Sequence, residues 1–204
     1  SDFDFGTGDF TIEAWVNFSD LNRIHCIASK CSSANVGWIF FIHTANQYMA
    51  LYDSGSTVVL RRNISFETNR WYHVAVVRNG SQVIFFQDGV AYVANEGTVP
   101  ATYNGGATDV WVGAYEGPLG QFFGHMDELR ISKGIARWPS NFTPPTSEYA
   151  RLGGGTANDT INPWNGVGGT NITSDVSQTY DVALGEVDGD GDLDLVTGNE
   201  ATPN

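Results

Sequence analysis

The sequence predicts an all-β chain, a sandwich of two antiparallel sheets, and three observations lead there. The dominant hydrophobic period is two, tight-turn dipeptides punctuate the chain at short intervals, and no stretch before residue 133 has helical periodicity. "FTIEAWVNF" sets Ile12, Ala14, Val16 and Phe18 on one face and Thr11, Glu13, Trp15 and Asn17 on the other, the alternation of a strand with one face in a core. "GWIFFIHTA", "YMALYD" and "STVVLRR" follow as short β-rich runs with Gly, Asn, Asp and Ser between them. "WYHVAVVRNGSQVIFFQDGVAYVA" then divides into strands at 71–78, 82–87 and 90–94, because Asn79-Gly80 and Asp88-Gly89 readily supply the positive φ of tight hairpin turns. "TDVWVGAYE" and "GHMDELRIS" add two more runs. So many short antiparallel strands bury their aromatic residues best between two facing sheets.

Composition bounds the function. At 204 residues with 41% hydrophobic and 13% aromatic content, the chain can bury a sizeable core. The balance of 10 Lys+Arg against 23 Asp+Glu gives a formal charge of -13, which repels nucleic acid and anionic lipid and favours cations. No run approaches the ~18 apolar residues of a bilayer span, and "SDFDFGTGDF" has neither a basic nor an apolar leader segment. The expectation is no nucleic-acid partner and no membrane insertion, with any signal peptide outside this chain.

Single residues say less. Cys26 and Cys31 in "HCIASKC" either close a small disulfide loop in a secreted chain or are two thiols at a strand end, and the residues leave both open. They are too few for structural zinc, and His25 beside them reads as a surface residue. Asn17, Asn63, Asn79, Asn141, Asn158 and Asn171 are glycosylation acceptors by pattern, several of them expected by chance in a Ser/Thr-rich chain. Trp38, Trp71, Trp111 and Tyr115 are able to stack on sugar rings, against a default in which sandwich aromatics are core; Trp71 is the one most expected inside. Asp53 in "YDSGS" and Tyr103 and Asn104 in "TYNGG" are the candidate ligand-binding loop positions.

After residue 138 the texture changes to Pro, Gly, Asn and Thr with few apolar residues, as in a connector hugging a surface, and a domain boundary is expected near 148–155. Two short β-like runs, 181–184 and 193–197, then flank "EVDGDGDLDLV", which packs five carboxylates into eleven positions. Glu186, Asp188 and Asp190 at every second position, Gly191 next and Asp194 three further on fit a chain wrapped around one hard cation with oxygen ligands at about 2.4 Å. The carbonyl of Asp192 supplies a further ligand, and six or more oxygens suit Ca2+ better than Mg2+. The bland alternative is a solvated acidic turn.

Two families share these patterns. "VALGEVDGDGDLDLVTGNEATPN" resembles the FG-GAP/VCBS calcium-loop repeats, whose loop runs D-x-D-x-D-G-x-x-D between two strands, and "INPWNGVGGTNITSDVSQTYD" is similar to the portion between their loops. The resemblance implies Asp188, Asp190 and Asp194 as ligands; Glu186 stands where the family usually has Asp, so it binds bidentately, through water or not at all. Only about fifty residues match, so the chain holds a single repeat or part of one. "DFDFGTGDFTIEAWV", "RWYHVAVVRNGSQVIFFQDGVAY" and "GHMDELRISKGIARW" resemble, in that order, the laminin G-like, concanavalin A-like lectin/glucanase modules. That implies a jelly-roll sandwich over residues 1–147, followed by a linker and partial repeat over 148–204. It also implies the company of secreted, bacterial surface and phage tail proteins that contact glycans or cell-surface proteins. Members usually have one more strand before "DFGTGDF", so both ends read as cut from a longer protein, and an unpaired sheet edge invites self-assembly.

Catalysis is not expected. The β-glucanases of this fold set their carboxylates on one strand as E-x-D-x-E, about 5.5 Å apart in one groove. This chain lacks that spacing; Asp127 and Glu128 are adjacent, and adjacent strand residues point to opposite faces. Histidines 25, 43, 73 and 125 are scattered, and no Ser or Cys sits in a nucleophile motif. Two readings stay open: a non-catalytic, calcium-binding adhesion or glycan-binding module of a larger extracellular or cell- or virion-surface protein, and a structural subunit of an extracellular filament, sheath or phage appendage.

Overall fold

The computed structural model describes residues 3–31, 37–53, 60–94, 97–105, 109–115, 120–147, 149, 180–185 and 194–199, the last two segments as backbone. The strands are β1 (Phe10–Phe18), β2 (Ile24–Cys31), β3 (Gly37–His43), β4 (Tyr48–Asp53), β5 (Leu60–Asn63), β6 (Trp71–Asn79), β7 (Gln82–Gln87), β8 (Val90–Val93), β9 (Trp111–Val112), β10 (Gly124–Lys133), β11 (Tyr180–Gly185) and β12 (Asp194–Asn199). They form a seven-stranded sheet in the order β11-β12-β10-β1-β6-β7-β8 and a five-stranded sheet in the order β5-β4-β3-β2-β9. All pairs are antiparallel, as a jelly-roll sandwich requires.

The inner faces follow the period of two. Ile12, Ala14, Val16 and Phe18 of β1, with Val74, Val76, Val83, Phe85, Leu129 and Ile131 beside them, share one core with Trp38, Phe40, Ile42, Met49 and Leu51 of the smaller sheet. Each such side chain removed from water contributes about 1.5–3 kcal/mol. Trp38 is fully buried, its Nε1 donating to the Phe3 carbonyl at 2.9 Å. Trp71, expected inside, is instead 43% exposed at the start of β6, because it occupies the outward phase of a strand whose next residue, Tyr72, takes the core position.

The other face of β1 is also buried, which alternation alone does not predict. Residues 134–147 and 149 lie across the outer face of the seven-stranded sheet as a strap. The Thr11 hydroxyl donates to the Ile135 carbonyl and accepts from Arg137 N; Trp15 Nε1 donates to the Pro145 carbonyl. Asn141 Oδ1 accepts from Ala91 N, and Phe142 N donates to the Gly89 carbonyl. Trp138 and Phe142 stack at 3.9 Å over a second cluster of Ala75, Val77, Ile84 and Phe86. The connector expected beyond residue 138 does hug a surface here.

Beneath the strap sits Glu13, wholly buried. Its Oε1 accepts from Arg130 Nε at 2.9 Å and Nη2 at 2.5 Å, and its Oε2 accepts from Trp138 Nε1 at 2.7 Å. His73 Nε2 lies 3.2 Å from Oε2 without the alignment of a hydrogen bond. Burial pushes the Glu13 carboxyl up, but His73, Arg130 and Trp138 together hold it below its ordinary value. A β-bulge opposite Ala14 gives Glu128 a φ of 50° and turns its carboxylate to accept from Tyr149 N at 2.9 Å. Glu128, one of the adjacent carboxylates weighed against the glucanase pattern, is thus occupied in holding the strap, as is Glu13.

At the far edge, β12 pairs with β10 over Leu129–Ile131, and β11 pairs with β12. The edge beside β10 therefore carries a hairpin of the same chain. Its connection holds the expected calcium ligands Glu186, Asp188, Asp190 and Asp192, which lie outside the described residues; Asp194 opens β12 opposite Gly185.

Candidate functional site on the five-stranded sheet

Alternation that sends Trp38, Phe40 and Ile42 inward sends Ile39, Phe41 and His43 outward. The register carries that outer face across the sheet in three rows: Ile24, His43, Tyr48 and Asn63; then Cys26, Phe41, Ala50 and Arg61; then Ser29, Ile39 and Tyr52, with Trp111 beyond Ser29. Ile39, Phe41, His43, Tyr48, Tyr52 and Arg61 are half-buried, and Trp111 is 40% exposed. Their rings hold one another: Phe41 meets Tyr48 edge-on at 6.3 Å, His43 tilts against Tyr48 at 5.0 Å, and the Arg61 guanidinium lies 5.4 Å above the Tyr48 ring. Among the described residues these outward strand positions carry no carboxylate, in a chain of net charge -13. Neighbouring rows of flat, half-exposed rings with polar edges suit a flat, hydroxyl-rich ligand.

Residues 113–115 and 120–123 wall one side. Gly113 N donates to the Ile27 carbonyl, Cys26 N to the Gly120 carbonyl, and both the Ser29 hydroxyl and the Cys26 thiol to the Ala114 carbonyl. That contact buries Cys26 and Ser29 on the outer face. Gly120, at φ 58°, is required because a Cβ there would sit 2.2 Å from the Tyr115 ring. The wall ends in an open depression of about 280 Å³ lined by Arg23, Ile24, Tyr115, Gly120, Gln121 and Phe123.

His25, expected on the surface, is buried and ties this corner together. Phe123 N donates to Nδ1 at 3.2 Å, so the proton sits on Nε2 and is donated to the Asp20 carbonyl at 2.8 Å. Phe18 and Phe122 pack edge-on against its ring. Burial holds the imidazole below its ordinary value, hence neutral near pH 7.

The other sequence-predicted positions fall elsewhere. Asp53 is buried at the end of β4 opposite Trp38. Tyr103 is fully buried against Phe10, while its backbone bridges Gly6; Asn104 is exposed and accepts from Gly6 N at 3.1 Å. Tyr103 and Asn104 fasten the N-terminal segment. Cys26 and Cys31 are buried thiols of one strand and are not joined in a disulfide. Five residues of extended chain span about 16 Å, far beyond the ~6 Å Cα separation of a disulfide, so the small loop does not close. Trp111 and Tyr115 do belong to the open face. Sequence reasoning missed Phe41, Tyr48, Tyr52 and Arg61; the signal was that "WIFFIH" is apolar on both phases, one more face than a single core can use.

These features define a class, an antiparallel sandwich with one sheet face closed by a strap and the other lined with half-exposed aromatic and polar side chains. The chain belongs to the concanavalin A-like lectin/glucanases superfamily, whose laminin G model matches residues 1–137. Among solved structures it is similar to mouse laminin alpha1 chain domains LG4-5, at 14% identity and a TM-score of 0.46 over 71% of this chain and 41% of that one. It is similar to the CBM40 of Ruminococcus gnavus IT-sialidase bound to alpha2,3 sialyllactose, at 14% identity and 0.43 over 64% and 74%. The carbohydrate binding module CBM66 of Bacillus subtilis aligns at 14% identity and 0.36 over 47% and 62%. The chain spans about two fifths of the length of the mouse laminin fragment. The comparison with curated proteins finds no match.

Proposed function

We propose that the chain is a non-catalytic glycan-binding or adhesion module of a larger extracellular or surface protein, and that it takes its ligand on the outer face of the five-stranded sheet. The observation that carries this reading is the set of rows centred on Phe41 and Tyr48, half-exposed side by side on one sheet face while Trp38 and Phe40 of the same strand as Phe41 are fully buried. Sugar rings stack on such faces, and the flanking His43, Asn63 and Arg61 meet hydroxyls. Membership of a superfamily of lectins and glucanases supports it, as do neighbours whose names include carbohydrate binding modules. Glu13 and Glu128, bonded into the strap, are on the opposite sheet from this face.

The acidic loop supplies the second part of the proposal. Residues 186–194 hold one Ca2+ through Asp188, Asp190 and Asp194, with Glu186 and Asp192 completing the oxygens, between the two strands of the β11–β12 hairpin. A glycan array run with and without calcium tests both parts. Binding lost in Phe41→Ala and Tyr48→Ala at unchanged melting temperature supports the face; binding by both variants equal to that of the native chain refutes it. Calorimetry that shows no calcium heat, with Asp190→Ala behaving as the native chain, refutes the loop assignment.

A further inference from the structure

The depression beside the aromatic face holds a feature that sugar stacking does not use. Arg23 immediately precedes β2, and its guanidinium carbon lies over the Phe123 ring, 3.6 Å from the centroid. Its Nε donates to Asp20 Oδ2 at 2.7 Å, and Asp20 Oδ1 accepts from Asn22 N at 2.8 Å. Asp20, held below its ordinary pKa by the Asn22 amide and the Arg23 guanidinium, is thereby committed on both oxygens. The side chain of Arg23 remains 39% exposed, and among the described residues no other group bonds to its two terminal nitrogens. A guanidinium fixed on one edge by a carboxylate and on one face by a ring offers a single planar fork, the geometry that matches a second carboxylate.

Position gives the fork its context. Ile24, which lines the depression, starts the row that continues through His43 and Tyr48. The fork stands at the end of that row, across from outward positions that carry no carboxylate among the described residues, so an anion there meets no local repulsion from the sheet face. Buried His25 holds both supports in place, one ring nitrogen on Phe123 and the other on Asp20.

We propose that the Arg23–Phe123 corner is a subsite for a carboxylate-bearing sugar residue, a uronic or other acidic sugar, at one end of the glycan face. The proposal rests on the reading of that face as the glycan site. The test is a nuclear magnetic resonance titration of the full chain with three probes: methyl glucuronide, methyl glucoside as its neutral counterpart, and glucose 6-sulfate as the other anion. The glucuronide is expected to move the Arg23 Nε–H, Gln121 and Phe123 signals and to bind about tenfold more tightly than the glucoside. Arg23→Gln should erase that difference. Arg23→Lys, which keeps the charge and loses the fork, should recover only a part of it and guards against a folding defect in the glutamine variant. Equal binding of the glucoside, binding of the 6-sulfate as tight as that of the glucuronide, or an undiminished preference in Arg23→Gln would each overturn the assignment. A glucuronide that moves Arg23 while Phe41 and Tyr48 stay still supports the corner and counts against the wider face. A neutral glycan that engages Phe41 and Tyr48 while the preference for acid is absent does the reverse.

Discussion

Replacing Glu13 is the sharpest test of how the strap is held. In Glu13→Ala, Arg130 keeps its charge in a nearly water-free site with neither of its two contacts to Oε1, and Trp138 Nε1 loses its acceptor at 2.7 Å. Removing one partner of a buried ion pair costs about 3–5 kcal/mol, because the other charge stays buried and unpaired. Glu13→Gln retains the volume and an acceptor oxygen, so its cost falls to about 1.5–3 kcal/mol, the range of a hydrogen bond to a charged group. The pH dependence has a definite sign. The folded carboxyl lies below its ordinary value of 4.5, so its contribution is complete above that value and is lost as pH falls through the folded value. The native chain should therefore lose stability below about pH 4.5 more steeply than Glu13→Gln does.

The assay has two readouts. Urea unfolding at pH 7 and in steps down to pH 3 measures the global cost. Amide exchange at Ala91, Phe142 and Tyr149, whose N–H groups donate to Asn141, Gly89 and Glu128, measures release of the strap itself. A Glu13→Ala chain within 1 kcal/mol of the native one, about the margin of an ordinary surface substitution, refutes the reasoning, as does unchanged exchange at those three amides.

Three further outcomes follow from burial and backbone. Trp38→Ala should destabilise by about 3–5 kcal/mol, and Trp71→Ala by less than about 1 kcal/mol; thermal unfolding of the pair checks the reversal of the sequence expectation. Gly89→Ala should cost about 1–3 kcal/mol and quicken proteolysis within 134–149, since Gly89 has φ 77° and an added Cβ would sit 2.0 Å from the Phe142 carbonyl. Cys26 and Cys31 should resist thiol reagents until the chain unfolds, because both are buried and burial pushes the Cys26 thiol far up; mass spectrometry after brief native alkylation should find neither modified.

The inner half of this fold was legible because one physical signal controls it. Ile12, Ala14, Val16 and Phe18 alternate, and the hairpin turns at Gly80 and Gly89 end strands where the dipeptides placed them. What was not legible depends on contacts remote in sequence. Glu13 reads as a solvent-facing strand residue until Trp138, 125 positions away, closes over it. His25 reads as polar surface until the 120–123 segment returns to cover β2. Tyr103 sits among turn residues, the composition of an exposed loop, yet its ring completes the core beside Phe10. The proposed calcium loop is the opposite case, a local pattern whose spacing is read without any tertiary partner.

The two sheets meet water in different ways, and the difference bears on function. The outer face of the larger sheet carries the apolar Ala75, Val77, Ile84 and Phe86 beside Glu13 and His73, and the strap covers them with Trp138, Phe142 and Tyr149. The outer face of the smaller sheet carries Phe41, Tyr48, Tyr52 and Trp111 with nothing comparable laid across them by the described chain. A fold that closes one face with a segment of its own has the means to close another. Leaving rings half in water forgoes about 25 cal/mol for each Å² of apolar surface kept exposed, a loss that a bound ligand recovers. Because Tyr48 is already braced by Phe41, His43 and Arg61, stacking on it costs little rotamer entropy, so more of the burial free energy appears as affinity. The same holds for Arg23, whose side chain Asp20 and Phe123 have immobilised in advance. A face built from pre-ordered rings and a pre-ordered cation suits ligands that are themselves rigid and hydroxyl-rich, and the acidic pyranoses proposed for it meet both requirements.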